Sequence, residues 1–199
     1  MVQDFGAGSR VFNGNVRKIN KIAKTAGITH KRAELLFRVT NYIKPNNILE
    51  IGTSVGLASS ALSLGNPESE VLTIEGCKTT SAVAQEQFNH FKMHNIQLLN
   101  GEFNEVLDSD DIINTEFQLI FVDGNHNKEA TMAFFNTLLT NIDNDSIMIF
   151  DDIYWSKGMT EAWEKIKEHP QVRVSVDTFY WGMIFFRKEQ EKEHFSIRV

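Results

Sequence analysis

The stretch "NILEIGTSVGLASSALS", residues 47–63, decides the fold. Ile48, Leu49 and Ile51 make an apolar, β-branched run into Gly52, and beyond Gly56 the residues Leu57, Ala58, Ala61 and Leu62 recur at helical spacing. The pattern is strand, tight turn, helix. Glycines at such a junction permit positive φ and close backbone approach, and the N–H groups of the helix start favour an anionic or polar partner. Glu50, an acid at the end of the strand, is not required by a turn that only turns.

Outward from this stretch, helical and extended patterns alternate. Upstream, "NVRKINKIAKTAG" carries Val16, Ile19, Ile22 and Ala23 at helical spacing up to Gly27. "HKRAELLFRVTNYIKP" repeats the pattern with Leu35, Leu36, Val39, Tyr42 and Ile43 and stops before Pro45. Downstream come "EVLTIEG" and the helix "KTTSAVAQEQFNHFKM", then "IQLLNG" and a short helical stretch at "NEVLD". "FQLIFVDG" leads into "NKEATMAFFNTLLTNI", and "SIMIFDDI" into "GMTEAWEKIKEHP". Strands such as "QLIFV" and "IMIF" are apolar on consecutive residues, as expected of a parallel sheet covered by helices on both faces. "VRVSVDTFYWGMIFFRK" holds two extended runs too close for a helix between them, which predicts an antiparallel hairpin.

In an open α/β sheet, ligands bind outside the carboxyl ends of the strands. Those ends carry Glu50 and Gly52, Glu75 and Gly76, Gly101 and Glu102, Asp123 and Gly124, and Asp151 and Asp152. A single acid there is often a helix cap, but five such ends argue for a site. Glu75 suits a ribose diol, which both a nicotinamide cofactor and other adenosine cofactors contain. The first turn separates them. A dinucleotide fold calls for Gly-x-Gly-x-x-Gly, whereas Gly52-Thr53-Ser54-Val55-Gly56 has Ser54 where the second glycine would admit a pyrophosphate. Glu50 below this turn suits a ligand with a cationic end and no phosphates.

"LEIGTSVG", "VLTIEG", "NGEFNEVL", "IFVDGNHNKEA", "IFDDI" and the terminal hairpin, taken in order, resemble class I S-adenosylmethionine-dependent methyltransferases. Among these the chain is most similar to the small O-methyltransferases of the catechol and caffeoyl-CoA type and their bacterial relatives, over residues 33–187. The resemblance implies a three-layer Rossmann-like fold with a seven-stranded, mostly parallel sheet, an antiparallel last strand at "WGMIFFRK", and two extra N-terminal helices. It implies S-adenosylmethionine as cofactor: Glu50, Gly52, Thr53, Ser54 and Gly56 around its methionine end, Glu75 and Gly76 at the ribose, Gly101, Glu102 and Phe103 beside the adenine, and Asp123 near the sulfonium. A small-molecule methyl acceptor, through a hydroxyl oxygen, is the expected partner.

A hydroxyl acceptor must lose its proton, through a divalent cation or a base. The metal-dependent relatives place an aspartate after the fourth strand and an Asp-Asn pair after the fifth. Here Asp123 and Asp151-Asp152 stand at those places, an all-oxygen set that suits Mg²⁺, Mn²⁺ or Ca²⁺. The alternative is that Asp151 or Asp152 caps the next turn. His126 is the candidate base, against the reading of a loop histidine bonding locally. Tyr154 and Trp155 are either a stacking surface for a flat acceptor or core aromatics, and Phe179, Tyr180 and Trp181 either core or the contact of a homodimer. The rival functions are an NAD(P)-binding oxidoreductase and a non-catalytic S-adenosylmethionine-binding protein.

The length of 199 residues fits a single domain, 1–199: a helical arm over 1–45, a Rossmann-like core over 46–188 and a tail over 189–199. Residues 1–44 carry nine Lys/Arg against two acids, and the remainder is acidic. The arm is either solvated on an acidic body or receives an anionic partner, while the acidic remainder argues against a nucleic-acid groove. "DFGAGSR" is either a glycine-rich flap over the cofactor or an unstructured end. Cys77 is the only cysteine, and no apolar run approaches the ~20 residues of a membrane span. A soluble cytoplasmic protein without membrane partners is the expectation.

Overall fold

The computed structural model describes residues 27–198, together with the backbone of 2–3 and 16–17. Val16–Arg17 pairs antiparallel with Val2–Gln3, so the helix expected to start at Val16 does not start there; 18–26, like the glycine-rich 4–10, lie outside the described residues. The chain forms two compact units, Met1–Val106 and Leu107–Val199.

The first unit begins with helix α1, His30–Ile43, capped by the Thr29 hydroxyl, which accepts from the Arg32 N–H. Lys44, in the left-handed region at φ 51°, ends it before Pro45. Its inward face is Leu36 and Thr40; Tyr42, expected on that face, is 86% exposed. Thr40 tolerates burial because its hydroxyl donates to the Leu36 carbonyl at 2.9 Å, and it packs on Gly65, where a Cβ would meet it at 2.6 Å. Gly65 ends helix α2, Leu57–Gly65. Strands β1, Asn47–Ile51, β2, Glu70–Glu75, and β3, Ile96–Asn100, pair in parallel in that order. Helix α3, Lys78–His90, joins β2 to β3, and the short helix α4, Phe103–Leu107, follows β3.

The second unit opens with a one-turn helix α5, Asp110–Ile113. Strand β4, Leu119–Val122, is buried at every residue, as is β5, Ile147–Asp151, which pairs with it in parallel. Helix α6, Lys128–Leu138, connects them, and helix α7, Lys157–Glu168, follows β5. Strands β6, Val174–Asp177, and β7, Trp181–Phe185, form the expected hairpin, and β7 runs antiparallel to both β5 and β6.

The resemblance implies a seven-stranded sheet; among the described residues the main sheet has eight strands. Strand β8, Glu193–Ser196, pairs in parallel with β6 inside what reads as a tail. All four of its residues are exposed, so no buried hydrophobic face marks it; the backbone ladder holds it, with the His194 ring 2.7 Å from the Ser175 hydroxyl of β6. The fold is therefore α/β, its main sheet parallel except at β7.

Gly182 of β7 faces Trp163 of α7: a Cβ there would meet the indole at 2.5 to 2.8 Å, and Trp163 is 1% exposed. Close-packed interiors accommodate added carbon poorly. Gly182→Ala is expected to lower stability by about 1–3 kcal/mol in urea unfolding; an unchanged midpoint would contradict this packing.

Candidate functional site

In the first unit the site grows from Glu50. Its position opposite Thr73 in the β1–β2 ladder brings a hydroxyl to the carboxylate, and the Thr73 Oγ1 donates to Glu50 Oε2 at 2.5 Å. The Ser59 hydroxyl of α2 donates to the same oxygen. Thr53 donates in turn to Thr73 at 2.6 Å. Glu50 is 0% exposed, and its other oxygen, Oε1, is buried without a hydrogen-bond partner. Burial pushes its carboxyl up to about 7; the hydrogen bonds from Ser59 and Thr73 oppose the rise and the Glu75 charge adds to it.

Above Glu50 the chain turns through three left-handed residues, Gly52 at φ 102°, Ser54 at 50° and Gly56 at 82°. The Gly52 and Thr53 N–H groups donate to the Ile74 carbonyl at 3.0 and 3.1 Å, fixing the turn to the end of β2. Gly56 is glycine for packing as well as for φ: a Cβ would meet the Phe88 ring at 2.6 Å. Glu75 ties the elements together, its Oε2 accepting from the Ser54 N–H at 2.8 Å and its Oε1 from the Cys77 N–H at 2.9 Å. Asn100 Nδ2 donates to the Glu75 carbonyl at 2.6 Å and to the Ser81 hydroxyl at 2.8 Å. Gly76 and Glu102 are exposed, and Phe103, like Gly101, is half-buried. The ends of β1, β2 and β3 thus bring the expected cofactor residues of this unit to one edge.

In the second unit Asp123 follows β4, and its Oδ1 lies 3.5 Å from His126 Nε2. Left-handed Asn125, at φ 65°, folds the loop back, and Asn127 caps α6 by accepting from the Ala130 N–H at 2.9 Å. The His126 ring lies 6.1 Å from that of Trp155. Asp151 is the buried last residue of β5, opposite Trp181, and Asp152 follows at φ 52°. Ser156 caps α7, accepting from the Met159 N–H at 3.2 Å. Among the described residues no three His, Cys, Asp or Glu side chains gather so as to hold a metal ion. Asp123, Asp151 and Asp152, the expected cation set, are not gathered as such a group. Tyr154 and Trp155 are exposed, as are Phe179 and Tyr180, while Trp181 is core.

A family described as a methyltransferase domain matches residues 49–153, more than half of the chain. The chain belongs to this methyltransferase family. A relative in Sinorhizobium fredii, the uncharacterized protein y4gI, is 26% identical over 163 residues, 74% of this chain. The methyltransferase chain spans only 18% of that relative's length. Among solved structures, cofactor-bound Rv0187 from MTB superposes with a TM-score of 0.75 at 17% identity, over 85% of this chain and 86% of that one. The O-methyltransferase from Bacillus cereus in complex with SAH gives 0.69 at 19% identity, over 84% and 88%. At these identities the likeness is one of fold, the Rossmann-like methyltransferase fold. No described helix is long and apolar enough to cross a membrane.

Three residues of this candidate site escape sequence reasoning: Thr73, Ser59 and Asn100. Thr73 left a trace, as a polar residue inside a strand that is otherwise buried on both faces. The raised Glu50 carboxyl has a sign that can be checked. Between the unfolded value of 4.5 and about 7 the folded protein holds a proton that the unfolded chain has lost. Its stability contribution is therefore fully present below the lower value and lost as pH rises through the upper one. The wild type should lose up to about 3 kcal/mol more than Glu50→Gln between these limits in urea unfolding; parallel pH profiles would contradict it.

Proposed function

We propose that the protein transfers the methyl group of S-adenosylmethionine to a hydroxyl oxygen of a small-molecule acceptor. The observation that carries this reading is the buried Glu50 carboxyl with its unpaired Oε1, set before a left-handed turn in a chain of the methyltransferase family. An orphaned buried oxygen is satisfied by a donor, and the cationic amine of a methionine moiety supplies one. The likeness to the Bacillus cereus O-methyltransferase supports both the cofactor and oxygen as the acceptor atom.

When bound, S-adenosylmethionine supplies an electrophilic methyl group on a sulfonium. Glu50, Gly52, Thr53, Ser54 and Gly56 would hold its amino acid end, Glu75 and Gly76 its ribose, and Gly101, Glu102 and Phe103 its adenine. The chain's own task in the chemistry is alignment and removal of the acceptor's proton. Asp123 faces His126 Nε2, which favours the tautomer with the proton on Nε2 and leaves the Nδ1 lone pair to receive the hydroxyl proton.

Transfer of labelled methyl from S-adenosylmethionine to a panel of hydroxylated small molecules tests the reading. His126→Ala should lower kcat by about 10²–10⁴-fold. Unchanged kcat would remove His126 from the reaction, and no transfer to any hydroxyl would overturn the proposal.

A further inference from the structure

The second unit contains a cleft of about 330 Å³ lined by Tyr154, Asp177, Phe179, Ser196, Ile197 and Arg198. It opens where the hairpin turn meets the end of β8, the strand that sequence patterning does not reveal. Its volume lies at the lower end of small-molecule sites, about 300–1,000 Å³. Two aromatic rings form one wall: Tyr154 and Phe179 stand 5.7 Å apart at 35°, and both are largely exposed.

Phe179 is the informative residue. Its φ is 76°, in the left-handed region that turns normally give to glycine or asparagine, and its ring is 61% exposed. A residue that served the turn alone would not be a bulky aromatic in a strained conformation, and such outliers collect at ligand sites. The turn holds it firmly. Asp177 accepts from the Phe179 N–H at 2.7 Å through Oδ1 and from the Tyr154 hydroxyl through Oδ2, so one carboxylate orients both rings. Thr178 and Trp181 close the hairpin with a 2.8 Å backbone bond and a 3.2 Å bond from the Trp181 N–H to the Thr178 hydroxyl.

Arg198 supplies the charge. Among the described residues no hydrogen bond or ion pair engages its guanidinium, whereas Arg173 and Arg187 both have partners. A planar guanidinium matches a carboxylate with two parallel hydrogen bonds. Asp177 in the same cleft disfavours a doubly charged phosphate relative to a singly charged carboxylate.

We propose that this cleft binds a planar aromatic acid, its ring against Tyr154 and Phe179 and its carboxylate on Arg198. That the acid, carrying a hydroxyl, is also the methyl acceptor rests on the methyltransferase reading; the binding site itself does not.

Calorimetric titration of the full chain with 4-hydroxybenzoate and with its uncharged counterpart 4-hydroxybenzyl alcohol, both without S-adenosylmethionine, tests the proposal. The acid should bind saturably and at least about fivefold more tightly than the alcohol, the advantage of a charge-assisted bidentate pair. Arg198→Gln should reduce the acid to the level of the alcohol. Phe179→Gly, which relieves the backbone and so keeps the fold, should weaken both ligands at least about fivefold. No binding of the acid, equal binding of acid and alcohol, or binding that both substitutions leave intact would overturn the proposal. So would a dimer that Phe179→Gly dissociates while leaving acid binding unchanged. S-adenosylmethionine binding, titrated on the same samples, reads the methyltransferase assignment separately.

Discussion

A carboxyl without water is the constraint on which the first unit depends. Glu50 sits at the end of a buried strand, and the cost of removing it from solvent is met by two hydroxyls on different elements, Thr73 of β2 and Ser59 of α2. For both to reach one oxygen, β1 and β2 must hold their register and α2 must start where it does. The left-handed turn between strand and helix is the backbone path that allows this, and Glu75 fastens it to the start of α3 through the Ser54 and Cys77 N–H groups. The strand-end edge and the folding core of this unit are thus one hydrogen-bonded structure. A change at Thr73 would be felt at both.

The second unit is organised by packing. An antiparallel strand lies between β5 and β6, and it can do so because Gly182 leaves room for the Trp163 ring. The same hairpin carries Thr178 to Tyr180 beyond the ladder and presents two exposed aromatics on a rigid turn. Asp123 and His126 stand on a short loop whose shape is set by Asn125 and by the Asn127 cap of α6. The candidate side chains here sit on loops that strands and caps position, the usual division of labour in α/β folds.

Much of this was legible in the residues because it rests on local pattern. Consecutive apolar residues in "QLIFV" and "IMIF" predict strands covered on both faces, and β4 and β5 are buried throughout. The strand, turn and helix at 47–63 follow from glycine placement and periodicity. Features that depend on partners distant in sequence were not legible. The Glu50–Thr73 contact exists only through register, and Thr in a strand reads as an ordinary β-former. Strand β8 is exposed at every position and carries no alternation. Tyr42 fits the helical period yet faces away from the core, because Thr40 satisfies its own hydroxyl and takes the inward place against Gly65. The adjacent aspartates 151 and 152 suggest a metal set by composition, but among the described residues they form no metal-holding group of three.

The central claim is that the Glu50 network and the turn above it form the receptor for the methionine end of S-adenosylmethionine. Calorimetric titration of the protein with S-adenosylmethionine, beside NAD as control and beside Glu50→Ala, tests it most directly. The account predicts saturable binding of S-adenosylmethionine, none of NAD, and binding weakened at least about tenfold in the variant while its fold persists by circular dichroism. Absence of binding by S-adenosylmethionine, or binding of NAD in its place, would contradict it.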